Sequence, residues 1–156
     1  MRDGDAVLVE SLEPDPAKVR YINDRLFEDL EAKGVAPENR SKLCFTLERP
    51  DGEVVGGIVG DIRWNWLKIE SLWVHAALQN QGAGGRLLAR AEQHARALGA
   101  RFARTSTYSV QALPFYLQHG YAVQAAVPEY PPGEKKYYLS KLLDVDGPAS
   151  DLSWGG

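Results

Sequence analysis

The chain has a single cysteine, Cys44, and a single methionine in 156 residues. One thiol excludes an internal disulfide, and with it the stapled class of small secreted domains; a reducing cytoplasm is the expected compartment. Excess positive charge is also missing: 18 Lys and Arg stand against 21 Asp and Glu, a formal net charge of -3. A nucleic-acid footprint needs the opposite balance, so no such partner is expected. No apolar run reaches the ~20 residues of a membrane helix, and Met1-Arg2-Asp3-Gly4-Asp5 lacks the pattern of a signal peptide. No membrane partner is expected. His75, His94 and His119 have no acid or cysteine at ligand spacing, so they read as surface or packing residues, with no metal. No internal repeat is present. The length suits one domain with a substantial core.

What is present is a glycine-rich stretch, Gln79-Asn80-Gln81-Gly82-Ala83-Gly84-Gly85-Arg86-Leu87-Leu88. Leu72-Trp73-Val74 before it reads as a strand. After it, Leu87, Leu88, Ala91, Ala95 and Leu98 share one face at the 3.6 period, which predicts a helix. A strand thus runs into a glycine turn that opens a helix. Glycines 82, 84 and 85 remove side chains where the backbone wraps closely. The first amides of a helix lack internal partners and favour an anion such as a phosphate. The turn is not a P-loop, because Gly85-Arg86-Leu87 replaces Gly-Lys-Ser/Thr. It is not a dinucleotide fingerprint either, because Leu87 takes the third glycine's place and no acid follows near Phe102-Ala103-Arg104. Taken alone, it could be a turn that merely tightens a strand–helix joint.

Gln79-x-x-Gly82-x-Gly84 resembles the acyl-CoA signature of the GNAT superfamily of N-acetyltransferases. Gln111-Ala112-Leu113-Pro114-Phe115-Tyr116-Leu117-Gln118-His119-Gly120-Tyr121 resembles its second signature, a helix with Phe-Tyr near its end followed by Gly-Phe/Tyr. The similarity runs from the second strand to Leu142. It is nearest to a bacterial subgroup with Leu-Trp-Val before the turn, here with Thr105-Ser106-Thr107-Tyr108-Ser109-Val110-Gln111-Ala112 and Tyr130-Pro131-Pro132-Gly133.

Along the chain, Ala6-Val7-Leu8-Val9 is predicted to be a first strand. Asp15 and Pro16 cap a helix striped by Val19, Ile22, Leu26 and Leu30 and stopped at Gly34. Leu43 to Leu47 is a strand, Pro50-Asp51-Gly52-Glu53 a turn, and Val54 to Trp64 the returning strand. Its Gly56, Gly57 and Gly60 imply a bulge, a close approach, or crowding by a helix across the sheet; crowding is the expectation. Trp64-Asn65-Trp66 turns into the strand Leu67 to Val74. Phe102 to Ser106 is a strand parallel to it, since a helix connects them. Val110 to His119 is a short helix, and Tyr121 to Val127 and Lys135 to Leu142 are the last strands. The expected fold is α/β: a GNAT-like mixed, mainly antiparallel sheet flanked by helices. Its central parallel strands splay around the cofactor, parting at Val74. Residues 1–143 form this domain, and 144–156, with Trp154, a mobile tail.

Glu70 precedes Leu72 and Val74 on one strand face if alternation holds. Its readings are a general base, an anchor for a substrate cation, or a structural acid. Lys68, at the earlier slot where relatives carry a base, cannot serve as one. Tyr116 is either a core tyrosine or, through the resemblance, a catalytic one. Gln111 stands where relatives have asparagine and could bond the pantetheine arm. Arg86 and Arg90 either meet phosphates or form a solvated helix face. Cys44 is expected to be a small core hydrophobe. Trp64, Trp66, Trp73 and Tyr108 line an acceptor pocket or pack at the hairpin.

The resemblance implies direct transfer of an acetyl group from acetyl-CoA, as co-substrate, to a small-molecule or peptide amine. The cofactor would lie on Leu72, Trp73 and Val74, with Gln79, Gln111 and Tyr116. Its pyrophosphate would sit on the amides of Gln81, Gly82, Ala83, Gly84, Gly85 and Arg86. Glu70 would take the amine's proton, the Val74 amide would hold the thioester oxygen, and Tyr116 would protonate the thiolate. A homodimer is common in such proteins. The alternatives are an acyl-CoA sensor without turnover and a structural module with an empty turn.

Overall fold

The computed structural model describes residue 4 and residues 6–143. The expected tail, with Trp154, lies outside the described residues. The chain forms two compact units, residues up to Glu38 and residues from Asn39 onward.

In the first unit, helix α1 spans Pro16–Ala32. The Asp15 carboxylate accepts from the Ala17 amide at 2.9 Å, and Pro16 occupies the first turn, where a missing N–H costs nothing. Gly34, at φ +90°, ends the helix in the left-handed conformation. Val19, Ile22 and Leu26 are all exposed. The predicted strand at Ala6–Val9 does not form: these residues adopt no regular structure, and Val7, Leu8 and Val9 are exposed. Apolar, β-branched composition alone makes no strand, because a strand needs a partner ladder for its backbone.

The second unit is a six-stranded sheet in the order β1-β2-β3-β4-β6-β5. The strands are β1 (Ser41–Glu48), β2 (Val54–Arg63), β3 (Trp66–Val74), β4 (Phe102–Tyr108), β5 (Ala122–Pro128) and β6 (Lys135–Leu142). All neighbouring pairs are antiparallel except β3 and β4, which α2 (Ala83–Ala97) connects. This is the expected mixed, mainly antiparallel sheet. Leu87, Leu88, Ala91 and Ala95 of α2 join Ile58, Ile62, Leu67, Ile69 and Leu139 in the core.

Leu98 does not join them. It caps α2 and is 48% exposed, while Gly99 at φ +90° turns the chain so that the Ala100 amide bonds Ala95 O and Ala100 enters the core instead. Cys44 is also exposed, alternating with buried Leu43 on β1, so it is no core residue. The third helix, α3, is shorter than expected, Leu113–Gln118. Before it, the Gln111 side-chain oxygen accepts from the Tyr108 amide (3.2 Å) and the Thr107 hydroxyl accepts from the Ala112 amide (3.3 Å). Those side-chain bonds hold residues 108–112 as a turn, and Pro114 starts the helix.

A buried polar cluster ties α2 to β6. Glu92 is 4% exposed and accepts from Lys141 Nζ at 3.1 and 2.9 Å and from the Tyr121 hydroxyl at 3.2 Å. Burial, reinforced by the Glu92 charge, holds the Tyr121 phenol well above its usual pKa.

Candidate active site

The site starts from a bulge. Val59 pairs with Ser71 and Gly60 with Ile69, so Glu70 is the extra residue on β3. The bulge resets the alternation: Leu67 and Ile69 lie in the core before it, and Leu72 and Val74 pack on the core after it. Glu70 therefore does not share a face with Leu72 by simple period-two counting. It is exposed at a backbone kink.

The same bulge accounts for a glycine. A Cβ on Gly60 would come within 2.5 Å of the Lys68 carbonyl oxygen. Gly56 and Gly57 are likewise pressed by strand backbone, Trp73 O at 3.3 Å and Phe45 O at 3.2 Å. Leu87 of α2 stands farther from Gly56, at 3.6 Å, so close approach of neighbouring strands, not helix crowding, selects these residues.

Beyond the bulge the parallel strands part. β3 and β4 pair only from Trp66 to Lys68 against Phe102 to Arg104. The Thr105 hydroxyl then donates to Ile69 O at 3.3 Å as the last link. The opening thus begins after Ile69, five residues before Val74, because the bulge has already turned the β3 backbone aside.

Val74 lies within that opening. His75 donates to Val55 O at 2.8 Å, so the adjacent Gly56–Val74 pair is a non-hydrogen-bonded one. The Val74 N–H and C=O therefore point away from β2, to the side where β4 has diverged. Gln79 Nε2 donates to Val74 O at 3.1 Å, which leaves the Val74 amide facing the opening. Leu72 is half-buried beside it and Trp73, exposed, meets His75 edge-on.

The glycine turn divides its labour. Gly82, at φ +80°, is the left-handed N-cap of α2. Gly84 and Gly85 leave room for α3: a Cβ at 84 would meet the Phe115 ring at 3.2 Å, and one at 85 would meet His119 Nε2 at 2.8 Å. Those two glycines answer to the side chains of Phe115 in α3 and of His119 at its C-cap. The open amides are also fewer than expected. Arg86 N–H already donates to Gly82 O at 3.1 Å, so the free set precedes it, at Ala83, Gly84 and Gly85. Gln81 turns its side chain back to Ala77 O at 2.9 Å, and the Arg86 side chain is exposed. Arg90 stacks over Phe45, 4.8 Å from the ring centroid.

Tyr116 is 5% exposed and packs edge-on against Phe115 and Tyr121. Burial raises its pKa, and the neighbouring Thr105 hydroxyl opposes that rise. Thr105 was not singled out from sequence; the alternation that buries Ala103, Thr105 and Thr107 was the available signal. Glu70, Leu72, Thr105, Gln111 and Tyr116 line one cavity of about 380 Å³ between β3 and β4, with Tyr108 and Lys136. Gln111 presents no free oxygen there, since its carbonyl serves the Tyr108 turn.

Glu70 also borders a second cavity, of about 520 Å³, lined by Arg40, Asp61, Arg63, Trp64, Trp66, Lys68 and Arg104. Asp61, 5% exposed, is held by Arg40 at 3.1 and 3.0 Å. Trp66 stacks on Phe102, centroids 4.8 Å apart. The histidines serve local packing: His75 caps the turn at Ala77, His94 meets Phe45 edge-on, and His119 bonds Phe115 O. Among the described residues no three His, Cys, Asp or Glu side chains converge.

One parallel strand pair that parts around a cavity, followed by a left-handed glycine and a helix with open amides, is the architecture of an acetyltransferase. The chain matches the family model described as "Acetyltransferase (GNAT) family" over residues 8–121. It is 43% identical to a blasticidin-S acetyltransferase of Streptomyces morookaense over 93 residues, 59% of this chain and 68% of that one. A solved structure from Agrobacterium tumefaciens, described as a candidate acetyltransferase, superposes with a TM-score of 0.79 at 28% identity, covering 88% of this chain and 99% of that one. A candidate streptothricin acetyltransferase from Bacillus anthracis, solved with acetyl coenzyme A, superposes at 0.58 with 22% identity, covering 69% of this chain and 64% of that one. The chain belongs to the GNAT acetyltransferase family and is an acyltransferase.

Proposed function

We propose that this protein transfers an acetyl group directly from acetyl-CoA to a primary amine of a small molecule or peptide. The reading rests above all on one cavity between the diverging strands β3 and β4, shared by Glu70, Leu72 and Tyr116, with Val74 two residues beyond Leu72 on β3. The residues present suit the co-substrate. Uncompensated amides at Ala83, Gly84 and Gly85 offer donors for a pyrophosphate at the positive end of α2. The gap after Ile69 suits an extended thioester arm. The acetyl-CoA-bound relative supports the same choice.

The chemistry follows from the groups around the cavity. An alkyl ammonium with a pKa near ~10.4 is no nucleophile, so the amine must first lose a proton. Glu70 accepts it, directly or through water. The neutral nitrogen then attacks the thioester carbonyl carbon, and the Val74 N–H donates to the oxygen on which charge grows. As the carbon–sulfur bond breaks, the Tyr116 hydroxyl gives its proton to the departing sulfur and regains one from the pool released by the amine. A phenol is already protonated at neutral pH, as a donor must be, and burial raises its pKa further.

The test is a thiol-release screen with acetyl-CoA over an amine library, the N-acetyl products identified by mass. Release that depends on an added amine supports the reading. Tight acetyl-CoA binding with no release over the whole library would make the protein a sensor instead.

A further inference from the structure

A third cavity, of about 690 Å³, lies on β3, β4 and β6. Among the described residues its lining includes Lys68, Arg104, Lys136 and Ser140, and no Asp or Glu. Lys68 on β3 and Arg104 on β4 are register partners, and Arg104 and Ser140 on β6 are register partners in turn. In-register neighbours face the same side of a sheet, so the three side chains form a row across three strands.

The row sets two exposed cations side by side. Like charges directly opposite each other destabilise a sheet. Among the described residues, neither Lys68 nor Arg104 has a carboxylate within 4.0 Å. Lys136 differs, since its Nζ sits 4.6 to 5.6 Å from the rings of Tyr108, Tyr130 and Tyr138. Ser140 is 3% exposed, and its hydroxyl has no hydrogen-bond partner. A buried donor without a partner costs stability. Two exposed cations without a carboxylate and a buried hydroxyl without a partner stand in one row, and one anion would serve all three.

We propose that Lys68, Arg104 and Ser140 form an anion subsite, and that the acceptor is an amine that also carries a carboxylate or phosphate group. This rests on the acetyl-transfer reading only for which end of the acceptor reacts. The ammonium lies toward Glu70, which lines the cavity of about 520 Å³; Lys68 and Arg104 line both that cavity and the third one. Two residues along a strand separate Glu70 from Lys68, about 7 Å, so a short chain of a few carbons spans the two ends. The Arg104 fork and the Lys68 ammonium bind the anion, and the Ser140 O–H donates to it. Asp61 does not compete for the cations, because Arg40 holds it.

The test uses matched probes with CoA-saturated protein: linear ω-aminocarboxylates of four to six carbons, the ω-aminophosphonates, and the neutral ω-aminocarboxamides. Calorimetry measures binding, and thiol release with acetyl-CoA measures turnover. The parent should bind the anionic probes at least tenfold more tightly than the carboxamides, less so at high salt. Whether carboxylate or phosphonate binds better names the anion. Lys68→Gln with Arg104→Gln should abolish the preference while acetyl-CoA affinity stays within twofold. Ser140→Ala should reduce it several-fold. Equal binding of carboxamide and carboxylate, or a preference that survives the double variant, overturns the subsite. Equal turnover of neutral and anionic amines removes the subsite but keeps acetyl transfer. Anion-selective binding without thiol release keeps the subsite and removes acetyl transfer.

Discussion

A Cβ placed on Gly60 would stand 2.5 Å from the carbonyl oxygen of Lys68, across the β2–β3 ladder. The bulge that sets Glu70 out of register brings these two backbones together. Gly60→Ala must push that carbonyl aside, and with it the bulge. Overpacking of this kind costs on the order of 1–3 kcal/mol. Urea unfolding should show that loss, and turnover should fall further than stability explains because Glu70 moves. A variant as stable and active as the parent would mean that the bulge is not under constraint.

Glu70→Gln preserves shape and removes the proposed base. Acetyl-CoA affinity by calorimetry should be unchanged, while kcat/KM for the amine falls by about 10²–10⁴-fold near neutral pH. The loss should shrink as pH rises toward the amine's own pKa, since more acceptor is then neutral. A pH–rate profile parallel to the parent's would leave Glu70 a structural residue.

Tyr116→Phe deletes one oxygen from a buried ring. With chemistry rate-limiting, kcat should drop by about 10²–10⁴-fold with little change in KM. Burial raises the phenol's pKa, so the parent's activity should persist above the ~10 at which an ordinary tyrosine ionises. The linkage to stability has the same sign. A raised folded-state pKa contributes stability that is present below the unfolded value of ~10 and is lost as pH climbs through the folded value. Alkaline unfolding should therefore become shallower in Tyr116→Phe, which stopped-flow and denaturation curves against pH can measure.

Arg86→Glu tests the anion end of α2 more cleanly than a bulky residue at Gly84, where Phe115 stands in the way. Arg86 is exposed, so reversing its charge should leave the fold intact. Acetyl-CoA binding should weaken about three- to thirtyfold at low salt, and much less at 1 M salt, where the Debye length is ~3 Å. Unchanged affinity at low salt would place the phosphates elsewhere.

Glu92→Ala should be the most damaging change outside the site. It leaves Lys141, with a side chain 14% exposed, without its carboxylate. Breaking a buried pair from one side costs about 3–5 kcal/mol. Glu92→Ala with Lys141→Met should recover much of that, a coupling that a double-mutant cycle measures directly.

The sheet, the two site-forming helices and their order were legible in the sequence. Alternation over Lys135–Leu142 and the 3.6 period through Leu87, Leu88, Ala91 and Ala95 are local patterns, and local patterns survive folding. The family that the two glycine-containing stretches resemble is the one whose model the chain matches. Where a pattern needed a distant partner to become structure, the sequence misled. Ala6–Val9 had a strand's composition but no ladder, Leu98 had the period but falls at the C-cap, and Cys44 fell on the exposed face of its strand.

Only the tertiary structure decided the rest, because the deciding distances join residues far apart in the chain. The bulge at Glu70 exists through its pairing with Val59 and Gly60. Gly84 and Gly85 are small because of Phe115 and His119, about thirty residues later. Glu92 looks like an ordinary helix acid until Lys141 and Tyr121 close over it. Lys68, Arg104 and Ser140 become neighbours only when three strands come into register. Short-range order is written in residue spacing. Charge pairing, close backbone approach and unsatisfied donors appear only once the chain has folded back on itself.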